Sequence, residues 1–191
     1  MTHAAPPPDR IAELLVHVGR LSRNEDAASG LTAAQWTCLR FFARANGTSR
    51  TPSAFASFQA TTRGTASQII KGLEAKGLIA RHRSDRDGRS VRFDLTEAGQ
   101  TTLAEDPLGD LIALIDRLEA GERAAFLSTL SGLSSSLAML KGARAFGTCG
   151  DCAHFTPGDD SGYCACMAGE LATTEIDRLC ASYAAPSPGS A

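Results

Sequence analysis

The chain has 191 residues, of which 43% are hydrophobic and 21% are charged, and its formal net charge is −2. This composition is typical of a folded globular protein of about one domain and excludes a disordered chain. No apolar run approaches the roughly 20 residues that span a bilayer. The N-terminus has no secretory signal pattern, so we expect a cytoplasmic protein that does not associate with membranes.

Charge is distributed unevenly along the chain. Between residues 60 and 93 there are eight lysines and arginines and three acidic residues, which gives a local charge of +5. Between residues 143 and 191 there are two arginines and six acidic residues, which gives −4. This asymmetry predicts one module that faces an anion such as nucleic acid, and a C-terminal extension with a different role.

The first part of the chain predicts an arm followed by two helices. Prolines favour a flexible arm over residues 1–8, and Asp9 can cap a first helix. The apolar residues that this helix is expected to bury are Ile11, Leu14, Leu15 and Val18. After a polar loop over residues 24–30, Thr32 and Gln35 have the spacing of a capping box and open a second helix. Its core-facing residues are Trp36, Leu39 and Phe42, with Cys38 as a small buried hydrophobe.

Residues 51–99 predict two short helices and a β-hairpin. Thr51-Pro52 starts one helix, and a second runs from about Thr62 to Lys76. A basic segment, the turn Asp87-Gly88 and an alternating apolar run predict the hairpin, after which Thr96 can cap another helix. Two short helices followed by a basic hairpin make a winged helix-turn-helix.

The second helix of this motif suits the major groove of DNA. Its first turns carry small and polar residues, which keep that face slim and offer hydrogen-bonding groups to base edges. Its N-terminus presents free N–H groups to phosphate, and the basic hairpin can enter a narrow minor groove. The candidate DNA-binding residues are Thr62, Arg63, Gly64, Thr65, Ser67, Gln68, Lys71, Arg81, Arg83, Arg86, Asp87 and Arg89. The alternative is a winged helix that contacts protein, with the arginines in solvent.

The stretch from Pro107 to Gly142 is expected to be mostly helical, with a break near Gly121. In its last part, apolar residues alternate at spacings of four and three: Phe126, Leu130, Leu133, Leu137 and Leu140. Such a heptad seam is narrower than the stripe that faces a globular core. It predicts pairing with another helix.

Several motifs in this region resemble the MarR family of bacterial transcriptional regulators. They are Leu73-Glu74-Ala75-Lys76-Gly77-Leu78, the wing Asp87-Gly88-Arg89 and Leu95-Thr96-Glu97-Ala98-Gly99, with residues 30–36 similar to the family's second helix. The resemblance covers roughly residues 9–142. It implies a dimer in which the first and last helices interlock. We expect this homodimer to bind a pseudo-palindromic double-stranded DNA operator as a repressor. The resemblance also implies that Arg89 enters the minor groove and that Asp87 positions it. Gly64 and Ala60 depart from the family, in which proline and glycine are common there.

Five of the six cysteines lie between positions 149 and 180. Thiolates gathered in this way in a cytoplasmic protein bind a metal or are redox active. One C-x2-C pair followed by separated cysteines suits a cubane cluster, which takes one thiolate per iron. The run from Cys149 to Tyr183 is similar to small high-potential-type iron–sulfur modules. That resemblance implies a 4Fe–4S cluster on Cys149, Cys152, Cys164 and Cys180, with Cys166 as a substitute and with Phe155, Tyr163 and Tyr183 as shields against water.

Other interpretations of the cysteines remain open. A structural zinc site could use the same four cysteines, or His154 in place of one. Metal-free redox thiols, with a strained disulfide between Cys164 and Cys166, are a further alternative. No Ser/His/Asp or paired-carboxylate arrangement stands out, so no enzyme is predicted.

The sequence as a whole predicts a mainly α protein with a small β-hairpin wing. A winged helix-turn-helix with helical dimerisation region spans 9–142, a Cys-rich module spans 143–185, and a flexible tail spans 186–191. We expect a DNA-binding regulator whose cysteines sense redox state, oxygen or iron by changing the spacing of the two DNA-reading heads. In a second hypothesis the cysteines form a structural zinc site, and a small aromatic effector binds beside Trp36 and Phe41. A metal-assembled protein-interaction module is a third.

Overall fold

The computed structural model describes residues 6–22, 30–83, 91–159 and 161–186. The helices of this part of the chain are α1 (Pro8–Leu21), α2 (Ala33–Arg44), α3 (Pro52–Phe58), α4 (Arg63–Ala75), α5 (Glu97–Ala104), α6 (Gly109–Asp116), α7 (Ala120–Leu140) and α8 (Thr173–Ile176). The strands are β1 (Ile79–Arg83), β2 (Val91–Leu95), β3 (Gly147–Thr148), β4 (Phe155–Pro157), β5 (Ser161–Cys164), β6 (Gly169–Ala172) and β7 (Leu179–Cys180). None of the helices described is long and apolar enough to cross a membrane.

Side-chain caps start the helices of the winged helix-turn-helix where the sequence predicts them. Thr32 and Gln35 form a reciprocal capping box at α2. The hydroxyls of Thr51, Thr62 and Thr96 each accept a hydrogen bond from the backbone N–H three residues on, at α3, α4 and α5. Each cap satisfies a backbone donor that the first helical turn would otherwise leave unpaired.

One aromatic core holds this domain together. Phe41 lies at the centre, with its ring centroid 5.6 Å from those of Phe42 and Phe55. Phe93 of β2 joins the cluster at 5.5 Å from Phe42, so the hairpin is anchored by its buried face. Trp36, Cys38 and Leu39 are buried as predicted. Burial also raises the pKa of the Cys38 thiol, which fits a structural role.

The hairpin pairs β1 with β2 in antiparallel register from Ile79–Leu95 to Arg83–Val91. Its predicted turn, Asp87-Gly88, lies outside the described residues, as do nearly all of the predicted 24–30 loop and residues 187–191 of the predicted tail.

The C-terminal segment (residues 143–186) forms two small antiparallel sheets. One pairs β3 with β7, and the other has the order β4-β5-β6. The segment docks on the end of α2, where Ala45 forms a bridge with Leu179 and the Asn46 N–H donates to the Leu179 carbonyl at 2.9 Å.

The first helix departs from its prediction in two ways. It begins at Pro8 with Pro7 as its N-cap, and Asp9 lies in its first turn, because proline is suited to a first helical position. No residue of α1 is buried. Its predicted core residues, Ile11, Leu14, Leu15 and Val18, are all exposed, because nothing in the described single chain covers that face.

The predicted break near Gly121 is present, since residues 117–119 separate α6 from α7 and Gly121 lies in the first turn of α7. The long helix α7 is exposed along its length. The capping box of Glu119 and Glu122 sets the start of α7. No residue of α7 is buried, and Leu140 of the predicted seam is 82% exposed.

Candidate nucleic-acid interface and cysteine site

The outer face of α4 is polar, basic and exposed. Ala66, Ile70 and Leu73 turn inward and are buried, which fixes the orientation of the helix. The predicted residues on the opposite side are exposed, with Ser67 half-buried: Thr62, Arg63, Gly64, Thr65, Gln68 and Lys71. The positive end of the helix dipole lies at the same end as Arg63. This face can present hydrogen-bonding groups and positive charge to a major groove.

The hairpin places further cations after α4. Arg81, His82 and Arg83 are exposed on β1. The other predicted wing residues, Arg86, Asp87 and Arg89, lie outside the described residues, so their positions stay predictions.

The base of the hairpin is fixed to the loop between α2 and α3. The Phe93 N–H donates to the Arg50 carbonyl at 2.9 Å, and the Arg50 guanidinium pairs with Asp94. The Arg92 guanidinium donates to the Gly47 carbonyl at 3.2 Å. The position of the wing therefore depends on residues 46–50, which we call the α2–α3 loop.

Three of the four predicted ligands converge on one cavity. Cys149, Cys164 and Cys180 are buried and line a cavity of about 470 Å³ between the C-terminal segment and the α2–α3 loop. Cys152 lies on the adjoining turn, where its N–H donates to the Cys149 carbonyl at 3.1 Å, but it lines a separate groove beside α7. Cys166 is exposed and lines neither.

N–H donors point at three of the sulfurs. The Asn46 amide Nδ2 lies 3.3 Å from Cys149 Sγ. The backbone N–H of Ser182 donates to Cys180 Sγ, and that of Ala184 to Cys152 Sγ, both at 3.4 Å. Hydrogen bonds of this kind stabilise negative charge on sulfur, both in thiolates and in sulfur bound to metal.

These contacts favour a thiolate at Cys180. The neighbouring Cys149 side chain is the largest cause, with the Ser182 N–H, Asn46 and Ser49 adding to it, and together they lower the pKa of Cys180 despite its burial. The neighbouring Cys180 side chain and burial raise the pKa of Cys149. All six cysteines are free thiols, so the predicted Cys164–Cys166 disulfide is not formed.

The donor arrangement bears on the kind of metal group. Among the described residues, no three Cys, His, Asp or Glu side chains are gathered closely enough to hold one metal ion. Tetrahedral zinc with bonds of about 2.3 Å requires sulfurs roughly 3.8 Å apart. A cubane takes each thiolate on a different iron and so accepts more widely spaced sulfurs. Among the described residues, the cysteines are therefore not arranged as a site for a single metal ion.

Two of the predicted shielding aromatics have packing roles. The ring of Phe155 covers Gly162, where an added Cβ would meet ring atoms at 2.1 Å. Tyr183 covers Gly147 in the same way and lines a groove with Ser135 of α7. Tyr163 is exposed and shields nothing. Trp36 and Phe41, predicted to line an effector pocket, are at most 2% exposed and belong to the core.

Sequence reasoning did not identify the polar residues that join the cysteine segment to the winged-helix domain. Asn46, Gly47 and Ser49 followed a predicted helix end and carried no other signal. Glu175 accepts from the Gly47 N–H at 2.8 Å, and Arg178 donates to the Ala43 carbonyl. These pairs are 128 and 135 residues apart, a separation at which no sequence periodicity operates.

Comparison with known proteins agrees with this geometry. Residues 29–90 match the model of the MarR family. An S. aureus MepR–DNA complex is 20% identical with a TM-score of 0.55, covering 69% of this chain and 96% of that one. Apo MarR from E. coli is 23% identical with a TM-score of 0.51, covering 69% and 98%. The regulator SlyA is 18% identical with a TM-score of 0.51, covering 69% and 93%.

No curated protein matches the sequence significantly. Each of these solved structures aligns over nearly its whole length. About 31% of this chain has no counterpart in them. At sequence identities of 18–23%, this structural similarity establishes the fold alone. Residues 29–90 therefore match the MarR family model, and the described chain has a winged-helix fold like that of the solved MarR-type structures.

Proposed function

We propose that this chain is a dimeric, sequence-specific DNA-binding transcription regulator. The observation that carries the proposal is α4, which buries Ala66, Ile70 and Leu73 and turns a polar, basic face to solvent within a winged helix. The similar MepR structure is a complex with DNA, which supports the same use of the fold here. In this proposal α4 enters the major groove and the wing contacts the backbone and minor groove.

The exposed apolar helices support a homodimer. Neither α1 nor α7 buries a residue within the chain, and Leu133, Leu137 and Leu140 of the α7 seam are each more than half exposed. A second copy of the chain would cover both helices. Two α4 helices about one turn of DNA apart, roughly 34 Å, would then read a pseudo-palindromic operator.

Selection from randomised DNA, followed by binding measurements at several salt concentrations, tests this proposal. Gln68→Ala should change the selected sequence and lower discrimination by about 1–3 kcal/mol, because glutamine on this face can read a base edge. Arg81→Ala and Arg89→Ala should weaken binding to all sequences and reduce the salt slope by about one each. Arg117→Ala, an exposed arginine between α6 and α7, is the matched control and should change neither.

If no sequence were enriched, sequence-specific binding would be wrong. If the salt dependence of binding were unchanged in Arg81→Ala and Arg89→Ala, the proposal that the wing contacts DNA would be wrong.

We propose that the cysteine site holds a 4Fe–4S cluster and makes the regulator sensitive to redox state, oxygen or iron. The convergence of Cys149, Cys164 and Cys180 on one cavity supports it, as do the N–H donors to the sulfurs. The ligands would be these three and Cys152. A bound cluster would supply a group that oxidation or iron loss can remove.

Anaerobic purification with iron, sulfide and zinc assays tests the cluster. We expect a brown protein with about four irons and four sulfides per chain. Serine substitutions at Cys149, Cys152, Cys164 and Cys180 should lower the iron content, and Cys166→Ser is the matched control that should leave it intact. One zinc per chain in a colourless protein would establish the structural zinc alternative, and metal-free protein would contradict both.

A further inference from the structure

Gly47 contacts both the segment that carries the cysteines and the wing strand. The Gly47 N–H donates to the Glu175 carboxylate of α8 at 2.8 Å, and the Gly47 carbonyl accepts from the Arg92 guanidinium of β2 at 3.2 Å. We infer that the α2–α3 loop couples the occupancy of the cysteine site to the position of the wing. This inference rests on the proposed function and names the route of its regulation, which lies within one chain and does not pass through the dimerisation helices.

Asn46 forms the contact between this loop and the sulfurs. It is 4% exposed. Its Nδ2 donates to Cys149 Sγ, while its Oδ1 accepts from the Ser49 N–H at 2.9 Å and from the Thr48 hydroxyl at 3.0 Å. The side chain that sets the shape of the loop is therefore the one that contacts a proposed ligand.

Strand β7, which carries Cys180, is attached to the same loop on both sides of that cysteine. Leu179 accepts from the Asn46 N–H at 2.9 Å, and the Ala181 N–H donates to the Ser49 hydroxyl at 2.8 Å. Because these two hydrogen bonds flank Cys180, a displacement of Cys180 is expected to move the loop as well.

The other end of the loop holds the wing strand. Arg50 accepts from the Phe93 N–H and pairs with Asp94, while Gly47 accepts from Arg92. Three consecutive residues of β2 thus bond to the loop. The hairpin that β2 forms with β1 carries Arg81 and Arg83. The loop contacts β2, and β2 pairs with the strand that carries these cations. A movement of the loop is therefore expected to shift them.

Loading the site changes the contacts that the loop makes. Ligation would give Cys149 Sγ a new partner beside the Asn46 amide, which lies 3.3 Å away. Ligation of Cys180 would likewise act on β7, which is hydrogen-bonded to the loop through Leu179 and Ala181. The loaded and unloaded states therefore differ in contacts at the loop, which is the condition for a change in the wing equilibrium.

The test compares cluster-loaded protein with chelator-stripped protein, using full-length wild type, Glu175→Ala and Glu175→Gln. Glu170→Ala is the matched control, because Glu170 lines the same cavity from β6 and is exposed. Three quantities are measured on each: iron per chain, operator Kd in both states, and hydrogen exchange at the amides of β2.

For wild type and Glu170→Ala we expect the operator Kd to differ about tenfold between loaded and stripped protein. In Glu175→Ala the Gly47 N–H loses its partner, so the tenfold ratio should fall toward one while iron content and the stripped-state Kd stay as in wild type. Glu175→Gln retains an acceptor and should restore most of the ratio. Exchange at the Phe93 amide should differ between loaded and stripped wild type.

A Glu175→Ala protein that keeps the full ratio with normal iron content would overturn the coupling route and leave the proposed function intact. Equal operator Kd values for loaded and stripped wild type would overturn cluster sensing and the coupling with it. The exchange measurement needs no DNA and no variant. If Phe93 exchanged at the same rate in both states of wild type, the route through the loop would be wrong even where DNA binding succeeds.

Discussion

The guanidinium of Arg40 on α2 holds both carboxylate oxygens of Asp106, with two hydrogen bonds of 2.6 Å, and so ties the DNA-binding domain to the turn before α6. Both side chains are largely buried. Burial raises the pKa of Asp106, but the bonds from Arg40 and from the Leu108 N–H outweigh it, and the net pKa is lowered.

Because its folded pKa is lowered, the Asp106 carboxylate stabilises the fold fully above the ordinary aspartate pKa of about 3.9. This contribution disappears as the pH falls below that value through the lower pKa of the folded protein. We expect Asp106→Asn to lower the free energy of unfolding by about 2–3 kcal/mol at pH 7. Urea denaturation from pH 7 to pH 3 checks this, since the variant should lose less stability toward acid than wild type. A constant difference between the two proteins at every pH would contradict it.

Ala60 occupies a backbone conformation that favours glycine. It lies in the turn between α3 and α4 with a φ of +50°, and left-handed conformations of residues with a Cβ cost roughly 1–2 kcal/mol. Ala60→Gly relieves this strain but adds freedom to the unfolded chain, so we expect a net gain of about 0.5–1 kcal/mol. Denaturant unfolding measures the gain. Ala75→Gly, within α4, is the control and should be destabilising.

Gly99 is required by a close backbone contact. A Cβ at this position in α5 would lie 2.0 Å from the Leu78 carbonyl oxygen, which accepts the Thr96 N–H at 3.1 Å. We expect Gly99→Ala to destabilise the protein by about 2–3 kcal/mol, because backbone has to move on both sides. Gly109→Ala faces open space at the start of α6 and should be neutral or slightly stabilising. Thermal unfolding of the two variants would refute this account if they behaved alike.

The α7 seam predicts the assembly state. Leu137 is 57% exposed in the single chain, so a second copy is needed to cover it. We expect Leu137→Glu to convert a dimer to a monomer in sedimentation analysis and to weaken operator binding, because one head reads half a site. Ser134→Glu, an exposed position outside the seam, should leave the dimer intact. A wild-type protein that sediments as a monomer would contradict the dimer.

The elements that the sequence predicted well depend on neighbours along the chain. The caps at Thr32, Thr51, Thr62 and Thr96 operate over three residues, and the hairpin follows from alternation over five. The inward face of α4 follows from helical spacing. Local rules of this kind can be read without knowing the fold.

The contacts that could not be predicted join distant segments. Asn46 meets Cys149 across 103 residues, and Arg40 meets Asp106 across 66. The spacing of the cysteines indicated a shared site but not which side chains of the DNA-binding domain would face it. The spacing of apolar residues in α1 predicts a buried stripe, but periodicity does not distinguish burial in the chain's own core from burial against a second subunit.

The C-terminal segment has an interior made largely of sulfur. Its buried hydrophobic side chains, among the described residues, are Cys149, Cys164 and Cys180. A segment of about 40 residues without a hydrocarbon core rarely folds unless a metal or another surface holds it. If the proposed cluster binds these sulfurs, its removal should weaken the interior of this segment, and limited proteolysis near residue 143 should then be faster in iron-depleted protein than in iron-loaded protein.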